Sequence, residues 1–557
     1  MPTRRQSQVG GRSVQGWRGG RGSVWRAAAL AIGIAVGAGS AGCRVSETDV
    51  HRWETTERGP FKLVAVIEHD KYVWPLRVEA ALSLIRMPPR GGQRQGIKFL
   101  VGPYKNDEGV ERAGALVEVS EDSRRKIVDG MAPEILKELQ APPPVKNADG
   151  TMPPDPSIPY KDAAFAMLSH EPPLVANDKT KKDFQDALVQ WAQTDFESRI
   201  ENATQQYGIE QMMRHLGSPS VRGLPGLIGV DTYRIDRMAG LIADIGDTDT
   251  KNKASEALVA LAKKFESAEW IAKETQIVDE HNKKAAPNTP VTKEQVAKQV
   301  QTIQERKLNE EVFPAMKRVG GRPVIDFLIA YAGDGKKSED KRKLALAALE
   351  GRVDKSNNAD VDRIFSIAKE DATPDGVRDL AFARLGELPK EQIIPKLYAE
   401  PAFFAPKRWK IRWVAASLVL KSMTTKGVAD FMRHLPATPA VKMGMTEPLS
   451  YGAIIAKMEA PAGEPKPRDV VMQFINSRDF GPKMAALGYF YNGKKADISA
   501  VKPHEDDVTP VPKCEAAEEC GWTYDVAKAG SQEKEQKPVN TVGEFVKFVL
   551  IPSMDQN

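Results

Sequence analysis

Cysteine is scarce, at three residues in 557. That excludes a disulfide-dense scaffold, which needs many bridges to replace a core. Long apolar runs are missing too. The longest uncharged apolar stretch, residues 27–42, falls short of the roughly 20 residues a membrane-spanning helix needs. A mean hydropathy of −0.41 excludes a polytopic membrane protein. Acidic residues are absent before Glu47. Catalytic signatures are absent as well. No G-x-S-x-G, H-E-x-x-H or G-x-x-x-x-G-K-[ST] occurs, and seven histidines lie scattered. Gly333-Asp-Gly335-Lys336-Lys337 lacks the upstream glycine and the hydroxyl of a phosphate loop. No catalytic residue, cofactor or metal ligand set is therefore expected. What is present is a 41% hydrophobic content, enough to exclude full disorder.

The first 26 residues carry six arginines (Arg4, Arg5, Arg12, Arg18, Arg21 and Arg26), and Ala27–Gly42 follows as AAALAIGIAVGAGSAG. A basic segment, an apolar segment and small residues, in that order, form an export signal. Ser40-Ala41-Gly42 leads directly to Cys43. This ending resembles a bacterial lipobox. The resemblance implies removal of residues 1–42, acylation of Cys43 and a tether over residues 43–59. Two or more acyl chains give durable membrane anchoring. Arg44 stands where an Asp retains some lipoproteins in the inner membrane, so the expected location is the outer membrane, facing the periplasm. The net charge of +5 then changes meaning. Residues 1–42 hold six positive charges and no negative one, so the chain from Cys43 carries −1. Nucleic-acid binding loses its electrostatic support.

Helical periodicity runs through the rest. Ile235, Met238, Leu241, Ile242 and Ile245 share one helix face. A Gly246-Asp247 turn precedes a second face of Ala254, Leu258, Leu261 and Phe265. A base, an alanine three residues on and a large apolar residue four further make a recurring pattern. It occurs at Arg77-Ala80-Leu84, Lys251-Ala254-Leu258, Arg342-Ala345-Leu349, Arg378-Ala381-Leu385, Arg412-Ala415-Val419 and Lys483-Ala486-Phe490. The steps from 342 to 378, 412 and 483 are 36, 34 and 71, close to one, one and two repeats. The turn acids Asp70 and Asp247, followed by Arg77-Val-Glu-Ala80-Ala81 and Lys251-Asn-Lys-Ala254, and the match at Arg412-Trp-Val-Ala415-Ala416, resemble bacterial HEAT or armadillo-like repeats. The resemblance implies an all-α fold, an α-solenoid of HEAT-like helix pairs. It comprises an N-terminal block over 60–140, a main solenoid over 176–500 and a cap over 501–557.

Two interruptions are expected. Residues 141–175 are Pro-rich and read as a linker. Residues 266–312 read as a charged helical insertion, opened by a Thr292/Gln295 capping box. It either lies along the body or projects from it; projection would make it a candidate docking arm, but its charge favours a solvated insertion. In the cap, Cys514 and Cys520 read as a disulfide closing a short loop in an oxidising compartment, worth about 2–3 kcal/mol. A metal or redox role is the alternative. Arg408, Trp409, Lys410 and Trp413 interleave charge and aromatic surface, and they form the sequence's local candidate for a partner contact.

HEAT-like proteins mostly act as scaffolds or binding modules. The expected function is a membrane-tethered scaffold or protein-binding module of the bacterial cell envelope, without enzyme activity, and its partners are envelope proteins. The alternatives are a lyase-like or enzyme-subunit HEAT protein, or a cell-wall or glycan binder. Blocking lipoprotein signal cleavage in cells is expected to accumulate the unprocessed precursor on an immunoblot. Normal processing under the block contradicts the Cys43 assignment.

Overall fold

The computed structural model describes residues 45–145, 147–148, 151, 153–194, 196, 205–229, 234–285, 291–404, 409–437, 447–491, 493–511, 522–527 and 534–555. The fold is all-α. Among the described residues, β-structure is limited to two short antiparallel hairpins and two isolated bridges, Arg90 with Gln93 and Pro510 with Thr541. One hairpin pairs Tyr104–Lys105 with Glu111–Arg112, and the other pairs Thr523–Ala527 with Lys534–Pro538. No described helix is long and apolar enough to cross a membrane.

All six copies of the base–alanine–apolar pattern occupy the same register. Arg77, Lys251, Arg342, Arg378, Arg412 and Lys483 are each the fourth residue of their helix. The alanines at 80, 254, 345, 381, 415 and 486 have no exposed surface, and the large residues at 84, 258, 349, 385, 419 and 490 are buried. A small residue at the centre of a buried face lets the neighbouring helix approach closely.

Three of the arginines do the same job. Arg77 Nε donates to the carbonyl of Ile67 at 2.8 Å, Arg342 Nε to that of Ala332 at 2.7 Å, and Arg378 Nε to that of Ala368 at 3.1 Å. Each acceptor lies ten residues back and is the penultimate residue of the preceding helix. The last carbonyls of a helix have no partner within it. A buried guanidinium from the next helix supplies one, and its charge suits the negative end of the helix dipole. Arg77 also reaches Asp70 in the turn, at 2.9 Å, and Arg378 reaches Asp375 at 2.6 Å. Lys483 departs from the pattern and pairs with Asp507 at 2.6 Å, so that acid is neutralised within the fold.

Helix Arg322–Gly333 packs against both Glu339–Ala348 and Asn358–Lys369, and Glu339–Ala348 packs against Asp375–Leu385. Adjacent pairs are thus joined first helix to first and second to second. Charges reinforce the join. Arg322 holds the fully buried Asp360, and Arg363 reaches back to Asp326 at 3.0 Å. Farther along, helices Glu447–Ala456 and Phe480–Tyr489 touch backbone to backbone. A Cβ on Gly452 would lie 2.2 Å from the Ala485 carbonyl oxygen, so only glycine fits there.

Among the described residues, the Pro-rich stretch is irregular up to 157 and again over 170–175, with one helix between. Pro159 then sits in the first turn of helix Ile158–Ser169, most of which is buried. Within it, Lys161 and Asp162 are fully buried and paired at 2.6 Å. Asp162 also accepts the backbone N–H groups of Gln206 and Tyr207 and faces Arg94. Burial lowers the Lys161 ammonium below its ordinary range, against the opposing pull of Asp162. This network ties the segment around 205–207 to the N-terminal block.

The Arg378→Met substitution keeps the aliphatic bulk and removes the donors to Ala368, Glu370 and Thr373. It is expected to destabilise the chain by about 3 kcal/mol, read as a lower urea midpoint. An unchanged midpoint would assign these bonds no weight.

Candidate functional site: a helical hairpin with an open groove

Helix Ala268–Ala285 and helix Lys293–Arg306 form an antiparallel hairpin, and their link at 286–290 lies outside the described residues. The Ser267 hydroxyl caps the first helix through the Trp270 N–H, at 3.1 Å. The Thr292/Gln295 capping box closes on the second as the sequence predicts, with reciprocal bonds of 3.3 and 2.8 Å. Pairs one turn apart (Asp279 with Lys283, Gln276 with Glu280, Gln301 with Glu305) cover the outer faces.

The hairpin has its own small core. Val278, Val296 and Val300 are buried together, with Trp270, Val291 and Ile303 packed against them, and this cluster is separate from the main one. Of the 18 residues in the first helix, only Val278 is buried. The buried valines of this insertion stand apart from the main core, while Trp270 packs against both.

Its base is fastened by a half-buried polar knot. Gln304 donates to the Phe265 carbonyl at 2.7 Å, and the Trp270 ring meets Phe265 edge-on at 5.3 Å. Glu266 accepts from Tyr331 at 2.6 Å and pairs with Lys337 at 2.7 Å and Lys341 at 3.4 Å. Burial opposes the Glu266 charge. The bonds from Lys337 and Tyr331 and the nearby lysine charges outweigh it, holding the carboxyl below its ordinary range. A π-helical turn, Lys307–Val312, then carries the chain into helix Phe313–Val319. Such turns redirect a helix without breaking it.

Between the two helices lies an open groove of about 930 Å³. Ile277, Val278, Val291 and Ile303 give it an apolar floor, and Glu274 and Lys298 stand on opposite walls. Ile277 is 49% exposed although it is fully apolar. The Asn282 amide bridges to Gln299 at 2.8 Å inside the same groove. No set of nucleophile, base and oxyanion donors converges there among the described residues.

The residues singled out from sequence are placed elsewhere or not at all. Cys43, Cys514, Cys520 and Arg408 lie outside the described residues. Trp409 and Lys410 begin helix Trp409–Ser422, and their side chains are likewise undescribed. Trp413 is half-buried, its ring stacked on buried Tyr451 at 5.5 Å and 22°. One face of its indole is thus committed inside the fold. Sequence reasoning did not pick out Ile277 as exposed. The signal was the Ile277-Val278 pair, two adjacent apolar residues that cannot both face one small core on a helix otherwise rich in polar residues.

No family model matches the chain, and no curated protein matches it either.

The Glu266→Gln variant is expected to loosen the hairpin base at pH 7, with deuterium uptake over 268–306 about tenfold faster. The sign with pH follows from the lowered folded value. The stabilisation is present above the ordinary 4.5 and fades as pH falls through the depressed folded value. Wild type and variant should therefore converge once the pH has fallen below the depressed folded value. A gap that persists in acid contradicts the electrostatic role of Glu266.

Proposed function

We propose that this chain is a membrane-tethered scaffold of the bacterial cell envelope, whose hairpin over 268–306 docks an amphipathic helix from a partner envelope protein. The observation that carries the reading is the open apolar groove on a hairpin with its own core. Three valines are a thin core for two helices, and a third helix laid in the groove would complete a small bundle. Its apolar face would cover Ile277, Val291 and Ile303, and its charges would meet Glu274 and Lys298 at the rim. The body is read as a HEAT-like solenoid. Support comes from the shared fourth-residue register and the helix-end bonds of Arg77, Arg342 and Arg378. The lipobox resemblance supports attachment at Cys43, and the outer membrane facing the periplasm is the proposed location. Cys514 and Cys520 are proposed to form a disulfide in that oxidising compartment. No catalytic role and no cofactor enter this reading.

A photo-crosslinking residue at position 277, introduced in living cells, is expected to capture one protein. The adduct should map to an amphipathic helix of that partner, and Val291→Asp should weaken capture by about tenfold or more. Adducts only to lipid or wall material, or capture indifferent to Val291→Asp, would overturn the proposal.

A further inference from the structure

Helix Glu47–Trp53 lies against helix Trp74–Arg86. Glu47 and His51 are one turn apart, so they share a face. Glu79 comes to that face from the neighbouring helix. His51 Nε2 sits 3.8 Å from a Glu47 oxygen and 3.5 Å from a Glu79 oxygen. The three ligand atoms lie within 4.8 Å of one another. On the other side of the ring, His51 Nδ1 lies 3.2 Å from Glu54.

The arrangement poses an electrostatic problem. A neutral imidazole donates one proton. With that proton on Nδ1, facing Glu54, the Nε2 lone pair points at two carboxylates. Arg86 is the guanidinium of this cluster. It is shared among Glu54 at 3.2 Å, Glu134 at 2.8 Å and the same Glu79 oxygen that faces His51. Glu54, Glu79 and Glu134 therefore share one full positive charge, with hydroxyls of Ser83 on Glu54 and Tyr160 on Glu134, and Glu47 stands on the His51 side without a guanidinium of its own among the described contacts. A cation between Nε2 and the two carboxylates would turn the repulsion into ligation.

We infer that Glu47, His51 and Glu79 form a site for a divalent transition ion of the zinc class. One imidazole and two carboxylates make a familiar three-ligand set, with a further position open to water. Ligands on bonds of about 2.0–2.1 Å stand roughly 3.3 Å apart in a tetrahedron; the two His51 spacings of 3.5 and 3.8 Å come near this, and the two carboxylates, within 4.8 Å of each other, would draw in on binding. Glu54 on Nδ1 fixes the ring tautomer, as the outer carboxylate of a carboxylate–histidine–metal triad does. Calcium is disfavoured, because it takes six or more oxygen ligands and no imidazole. A bound ion would cross-link the short first helix to helix Trp74–Arg86. It would stiffen the chain where it leaves residues 43–46, whether or not Cys43 is acylated.

The test is calorimetry with Zn²⁺ on the purified full-length protein, with His51→Ala and Glu47→Gln as variants. Both changes are at exposed side chains, and circular dichroism checks that each variant is folded. The wild type is expected to bind one equivalent of Zn²⁺ that both variants lose or bind at least tenfold more weakly. Co²⁺ should give visible bands in the wild type that vanish in His51→Ala. Zn²⁺ binding of unchanged stoichiometry and affinity in His51→Ala overturns the site. No binding by the wild type does so too, and it leaves protonation of His51 as the answer to the repulsion.

Discussion

A buried arginine that hydrogen-bonds the end of the preceding helix sets how the helix pairs close. The bond from Nε to a penultimate carbonyl does three things at once. It satisfies an acceptor that has no intrahelical partner, it places a positive charge at the negative helix end, and it fixes where the turn must bring the next helix. With the arginine at the fourth position, the alanine at the seventh falls on the same buried face, and so does the large apolar residue at the eleventh. Neighbouring pairs then stack on that face, and the body of the molecule follows.

Much of this body was legible in the sequence because it is local. A spacing of three and four residues is written in the order of the chain, and the six pattern copies all fall in one register. What the spacing does not contain is the acceptor. The carbonyls of Ile67, Ala332 and Ala368 carry no sequence signature, so the bond itself appears only in three dimensions. Lys483 shows the limit from the other side. It fits the pattern, yet it serves Asp507 instead of a helix end.

The candidate site was less legible, for two physical reasons. First, whether a polar helix lies on a body or stands off it depends on where its few apolar residues find partners. Val278, Val296 and Val300 find one another, which leaves Ile277 beside an open groove. Second, charged residues acquire meaning from neighbours far along the chain. Lys161 and Asp162 look like surface residues in a string, but they are fully buried against Arg94 and the chain around 206. Glu79 meets His51 only because two helices pack. The aromatic and basic run at 408–413 had the stronger local signature, yet Trp413 spends one ring face on Tyr451.

The hairpin therefore carries the account: a unit with its own core, held at its base by Glu266 and Gln304, offering an unfilled groove. The most direct measurement replaces residues 271–303 by a short Gly-Ser link that joins Trp270 to Gln304. Thermal unfolding of the body and capture of the crosslinked partner are then followed together. The account predicts a body that unfolds within a few degrees of the intact protein and no longer holds the partner. Partner binding that survives the excision would contradict it.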